Sequence, residues 1–254
     1  MIRPLSATEL LDLWEQGRSQ PSFQQALLLL AAACPDTVVE TLAQLPIGRR
    51  DGLLLGLREW TFGSQIQGVV DCPSCGERLE FELDVAALRL HPAVEPSEPL
   101  DFEAAGYRVR WRPPTSVDLA AAAEQPSLAA ARQTLLARCL VEVTPPAGAA
   151  DGSATHPPLG GAPLPAAVLD ALNEQLGAAD PQADIDLAFT CPACGNRWTA
   201  LFDVATFFWQ EIDNWAQRTL REVHLLASTY GWSESEILSM SAWRRQAYLE
   251  MVSE

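Results

Sequence analysis

Cys72-Pro73-Ser74-Cys75-Gly76-Glu77-Arg78 and, 119 positions later, Cys191-Pro192-Ala193-Cys194-Gly195-Asn196-Arg197 are the stretches that decide how this chain folds. Each reaches Asp-Val-Ala six residues after its arginine, at Asp84-Val85-Ala86 and Asp203-Val204-Ala205, which makes eight identities in fifteen positions. Short alternating or β-branched runs flank both copies: Ile66 to Val70 and Leu79 to Leu83 around the first, Ile185 to Phe189 and Trp198 to Phe202 around the second. Period-two patterning reads as strand, so each copy predicts a hairpin with its cysteine pair on the turn. The aspartate that follows suits a helix N-cap, because its carboxylate accepts from the first free backbone N–H groups.

Two Cys-x-x-Cys pairs supply four thiolates, the ligand set of a closed tetrahedral Zn²⁺ site. The glycine after each second cysteine permits a positive φ, which lets backbone N–H groups face the sulfurs. The expectation is one zinc ribbon holding a single structural ion on Cys72, Cys75, Cys191 and Cys194. Two alternatives stay open: a Cys-x-x-Cys redox or metal enzyme, and a pair of half-sites each completed by a second chain. With four thiolates bound, the metal keeps no open position for catalysis and acts as a staple across a long loop. Cys34 and Cys139 stand in apolar helical contexts and read as buried, inert thiols.

Working outward, the 254 residues carry a net charge of −16 with 48% hydrophobic residues, the composition of a globular protein of one large or two modest domains. All 17 basic residues are arginine, which excludes lysine-dependent phosphate loops and Schiff-base chemistry. So acidic a surface repels phosphate backbones and anionic headgroups, so neither nucleic acid nor membrane is expected as a partner. The longest apolar run, Ala26 to Cys34, is far short of a bilayer span, and the first residues lack a secretion signal, so a cytoplasmic location is expected.

The amino-terminal 65 residues read as helical. Ser6 with Glu9 forms a capping box ahead of Leu10, Leu13 and Trp14; an apolar stretch runs from Phe23 to Ala33; a third helix fits Gly48 to Phe62, stopped by Gly63. Between the knuckles, residues 91–101 are rich in Pro and Glu, Tyr107 to Trp111 alternates like a strand, and Ser116 to Cys139 is alanine-rich and reads as helix. Thr144 to Pro165 is Pro, Gly and Ala with little else, and is expected to be a mobile loop. Beyond the second knuckle, Phe208, Ile212, Trp215, Val223, Leu226 and Tyr230 mark one apolar face of a helix from about Val204 to Thr229. Gly231 ends it, Ser233 with Glu236 caps a short helix, and Ser241 can cap a last one.

Other chemistry is thinly represented. His91, His156 and His224 show no ligand or triad spacing, and neither GxSxG nor GxGxxG occurs. The three carboxy-terminal helices carry too few arginines against their acidic residues to read DNA. Their tryptophans, Trp209, Trp215, Trp232 and Trp243, default to core, yet aromatics with neighbouring arginines are what protein interfaces use, which marks Trp232, Arg244 and Arg245 as candidate partner contacts.

Both knuckle segments, the Gly48-Arg49-Arg50-Asp51 start of the third helix, and the tail from His224-Leu225-Leu226-Ala227 through Tyr230-Gly231-Trp232-Ser233 to Ile237-Leu238 and Arg244-Arg245 together resemble the baseplate hub assembly chaperone family of T-even-type phage tails and related contractile injection systems. The resemblance touches about half the chain and leaves residues 89–183 uncovered. It implies a non-enzymatic assembly factor whose partner is a hub or baseplate protein of a contractile tail, with a permanent place in the phage-like particle as the alternative. The combined expectation is a mostly helical α+β chain: a helical region at 1–65, knuckle hairpins at 66–90 and 184–203 forming a zinc-ribbon-like element, an insertion at 91–183, and a three-helix unit at 204–254.

Overall fold

A computed structural model describes residues 2–90, 99–146 and 164–252. In chain order its elements are α1 (Ala7–Gly17), α2 (Ser22–Ala33), α3 (Val39–Ala43), α4 (Ile47–Phe62), β1 (Gln65–Asp71), β2 (Arg78–Asp84), α5 (Val85–Leu88), β3 (Leu100–Ala104) and β4 (Tyr107–Trp111). There follow α6 (Ser116–Ala123), α7 (Leu128–Cys139), β5 (Leu140–Thr144), α8 (Ala166–Ala179), a 3-10 turn (Pro181–Ala183), β6 (Asp186–Thr190), β7 (Arg197–Leu201), α9 (Val204–Tyr230), α10 (Glu234–Leu238) and α11 (Ala242–Val252). The fold is α+β, with helices outweighing small sheets. The elements form two units: Met1–Thr37 with Val204–Glu254, and Val38–Asp203.

The first unit is all helical. Ser6 caps α1: its Oγ accepts from the Glu9 N–H at 3.3 Å while the Glu9 carboxylate accepts from the Ser6 N–H at 2.8 Å. Arg3 donates to the same carboxylate and, with the Ser6 amide, holds it down at about 2. Along α9, Ala205, Phe208, Ile212, Ala216, Thr219, Val223 and Leu226 are buried at steps of three and four residues, forming the stripe on which α1 and α2 pack. Tyr230 and Trp215, expected on that stripe, are exposed and half-buried respectively. Gly231, at φ 70°, ends α9 by donating its N–H to the Ala227 carbonyl at 2.9 Å. The second capping box forms at Ser233 and Glu236, opening α10.

Within this unit the Trp209 ring lies against the Cα of Gly17 so closely that a Cβ there would overlap it. Gly17→Ala is therefore expected to destabilise the protein by about 1–3 kcal/mol, the usual cost of overpacking, despite alanine's higher helix propensity. Urea unfolding measures this; an unchanged or raised midpoint would contradict it.

In the second unit, β1 and β2 make one antiparallel hairpin, β6 and β7 another, and β3-β4-β5 a three-stranded antiparallel sheet. Ala105 and Gly106, both at positive φ, form the two-residue turn between β3 and β4. One face of that sheet packs Val109, Trp111 and Val143 on Leu136 of α7 and on Val168 and Leu172 of α8. The stretch Ser116 to Cys139, expected to be helical throughout, is broken. Pro126 lacks an N–H and disfavours helix in the residue before it, and Ser127 starts α7 afresh by accepting from the Ala130 N–H at 3.2 Å. Most of the expected Pro/Gly/Ala loop, 147–163, and most of the Pro/Glu-rich stretch, 91–98, lie outside the described residues.

Candidate metal centre

Each knuckle is built by the same backbone bonds. Cys72 N–H donates to the Glu77 carbonyl at 2.8 Å and Gly76 N–H to the Cys72 carbonyl at 2.9 Å; in the other hairpin Cys191 N–H donates to Asn196 at 2.8 Å and Gly195 N–H to Cys191 at 2.9 Å. These turns close only with φ of 74° at Gly76 and 72° at Gly195, a region that a Cβ makes costly. The two hairpins then meet. The Phe81 and Phe189 ring centroids lie 5.4 Å apart, and Trp198 stacks on Phe189 at 5.5 Å.

That meeting brings Cys72, Cys75, Cys191 and Cys194 together, their sulfurs all within 4.8 Å of one another. Cys72 Sγ lies 3.8 Å from Cys194 Sγ, and Cys75 Sγ 3.6 Å from Cys191 Sγ. Four sulfurs at about 2.3 Å from a tetrahedral centre would be about 3.8 Å apart, so the cluster has the dimensions to hold one metal ion. Cys72 and Cys191 are 3% and 1% exposed, while Cys75 and Cys194 face solvent. Burial opposes ionisation of Cys72, but the backbone N–H groups of Cys75 and Ser74 and the neighbouring thiols carry it down to about 6. At Cys75 the Glu77 amide favours the thiolate, yet the surrounding sulfurs of Cys194, Cys191 and Cys72, with burial, push the thiol up to about 12. Crowding of this kind resists four simultaneous thiolates without a cation and favours them with one.

All four sulfurs of the cluster come from one chain. Each pair sits on a hairpin turn, unlike a redox pair that opens a helix after a strand. Cys139 is fully buried, and burial together with nearby Asp118 pushes its thiol up to about 12; Cys34 is buried and also raised, chiefly by burial. His224 is exposed on α9, and His91 and His156 lie outside the described residues.

The candidate partner contacts are split by the structure. Trp232 is half-buried, stacked on Tyr230 at 4.5 Å and edge-on to Tyr248 at 4.8 Å. Arg244 is exposed, and beside it Trp243 is 83% exposed. Arg245 is turned inward, only 5% exposed, donating to Glu222 Oε2 at 3.2 Å and to the Met240 carbonyl at 2.9 Å, so it braces α11 against α9.

Sequence reasoning missed two buried polar groupings, the first of which had no signal beyond its residue types. Gly48 N–H donates to Asp180 Oδ2 at 2.9 Å, while Arg50 donates to Asp51 at 2.7 Å and to Ser116 Oγ at 3.2 Å, which joins the start of α4 to α6 and to the turn ahead of β6. Asp118 takes two bonds from Arg112, at 2.6 and 3.0 Å, and one from Arg138 at 2.8 Å. A Thr-x-x-Asp capping box at Thr115 was the available hint for the second.

No curated protein and no solved structure matches the chain. The family model described as T4 bacteriophage base plate protein matches residues 2–209, which takes in both knuckles and the insertion between them. The chain therefore belongs to the T4 bacteriophage base plate protein family.

Proposed function

We propose that this chain is a non-enzymatic assembly factor that binds a hub or baseplate subunit of a contractile tail, on a scaffold held by one structural zinc ion. The observation that carries the reading is the four-sulfur cluster in a chain of the baseplate family. Four thiolates saturate a tetrahedral ion, so such a metal fastens two hairpins and is not available to a substrate. Zinc suits the set because thiolate ligands in tetrahedral geometry favour it among common divalent ions. Metal analysis of protein purified without chelator should find about one zinc per chain; a value near zero refutes the assignment.

The docking surface in this reading is the aromatic end of the carboxy-terminal helices, with Trp232, Trp243 and Arg244. Alanine at Trp243 or Arg244 should weaken capture of the hub or baseplate subunit by roughly tenfold while leaving the unfolding midpoint unchanged. Arg245→Ala should lower that midpoint instead, since its guanidinium is bonded within the unit. A permanent structural component is the second reading, favoured by the family's description as a base plate protein. Quantitative mass spectrometry of purified particles against the soluble pool of the same lysate separates the two. Presence in particles at a fixed ratio to hub subunits makes the chain a component; recovery only in a soluble complex with a hub protein makes it an assembly factor.

A further inference from the structure

The offset of 119 reaches well beyond the knuckles. Applied to the β1–β2 ladder it reproduces the β6–β7 ladder rung for rung: Gly68↔Phe81 becomes Leu187↔Ala200, Val70↔Leu79 becomes Phe189↔Trp198, and Asp71↔Arg78 becomes Thr190↔Arg197. Applied to α4 it lands on α8. Both helices begin directly after an extended proline, Pro46 at φ −49° and ψ 143° and Pro165 at φ −54° and ψ 143°. Asp51 matches Asp170, Leu53 matches Leu172, Leu57 matches Leu176, and Ile66 matches Ile185, without a gap.

We infer that residues 46–84 and 165–203 are two copies of one helix–hairpin module, paired through the thiolate cluster, to which each contributes an equivalent half-site. The equivalent ligands have matching environments: Cys72 and Cys191 are buried, Cys75 and Cys194 exposed. Bulk has also been exchanged between the copies. In the first, the Phe81 ring covers Gly68 and leaves no room for a Cβ there; in the second, the large residue of the same rung is on the other strand, as Leu187 opposite Ala200. The helices have diverged in what they cover, α4 burying Arg50 and Asp51 and α8 turning Val168 and Leu172 under the three-stranded sheet.

The half-site part rests on the metal reading above, and the test separates the two. Cobalt(II) is titrated into the full chain after metal removal under reducing conditions, for wild type and four single variants. Cys72→Ser and Cys191→Ser should weaken binding by the same factor within about threefold, and Cys75→Ser should match Cys194→Ser in the same way, each loss being at least roughly tenfold. Losses that sort by hairpin, Cys72 with Cys75 and Cys191 with Cys194, overturn the equivalence. A second arm needs no metal. The turns are exchanged in one chain carrying Ser74→Ala, Glu77→Asn, Ala193→Ser and Asn196→Glu, and its melting is followed with chelator present. A Tm within about 2 °C of wild type supports interchangeable modules, and a fall beyond about 6 °C, some 2 kcal/mol in a protein of this size, overturns them. Wild-type chain that takes up no cobalt refutes the metal reading, and the exchanged turns then decide the module.

Discussion

Cys191→Ser is expected to take the bound metal from about one ion per chain to almost none and to lower stability by about 4 kcal/mol or more. The argument is one of chain entropy. Cys72 and Cys191 stand 119 positions apart, and a cross-link closing a loop near that length removes about 4–5 kcal/mol of freedom from the unfolded chain. The remaining three thiols keep their crowding without the cation that relieves it. Metal content by mass spectrometry and unfolding with and without chelator provide the check: chelator should destabilise wild type and leave the variant where it is. Equal chelator sensitivity in both would show that the hairpins hold together without this site.

Asp118→Asn is expected to cost about 3 kcal/mol at pH 7. The side chain is fully buried, caps α6 by accepting from the Thr115 N–H at 2.9 Å, and faces Arg112 and Arg138, whose side chains are 34% and 35% exposed. Burial alone would raise its pKa, but the Arg112 bonds, the Thr115 amide and Arg138 outweigh that and hold the carboxyl at about 2, below its ordinary 3.8. A group with a depressed folded-state pKa stabilises above the unfolded value and loses that contribution as the pH falls through the folded one. The gap between wild type and Asp118→Asn should therefore be widest above pH 4 and shrink towards pH 2. Urea titrations at matched pH read it directly, and a gap that stays constant down to pH 2.5 would place the cost in shape and not in charge.

What could be read from the sequence was local. The knuckle hairpins, the boxes at Ser6 and Ser233, the stop at Gly63 and the buried stripe of α9 each depend on residues within one or two turns of each other, and each is present. The clustering of the four cysteines was legible because both pairs repeat a Cys-x-x-Cys spacing that suits metal ligation. Elements whose pattern depends on distant partners were missed. β5 follows α7 with no turn residue between Cys139 and Leu140, so only its pairing with β4 makes it a strand. α8 adjoins a Pro/Gly/Ala stretch that hid it, although the offset from α4 would have found it. Arg245 shows the limit of reading a surface from residue type, since its burial depends on Glu222 in another helix.

The first unit is assembled from segments at both ends of the described chain, with residues 38–203 between them. During synthesis α2, with its buried residues Ala26, Leu29, Leu30 and Ala33, emerges with α1 as its neighbour, and α9, the other helix of this unit that packs on it, follows after roughly 170 residues of translation, on the order of ten seconds or more. The nascent chain therefore passes through an interval in which its middle portion has left the ribosome while an apolar amino-terminal helix still awaits the rest of its cover. Ribosome-bound chains arrested before Val204 should be cut readily by protease within α2, and the same bonds should become resistant once α9 has been made.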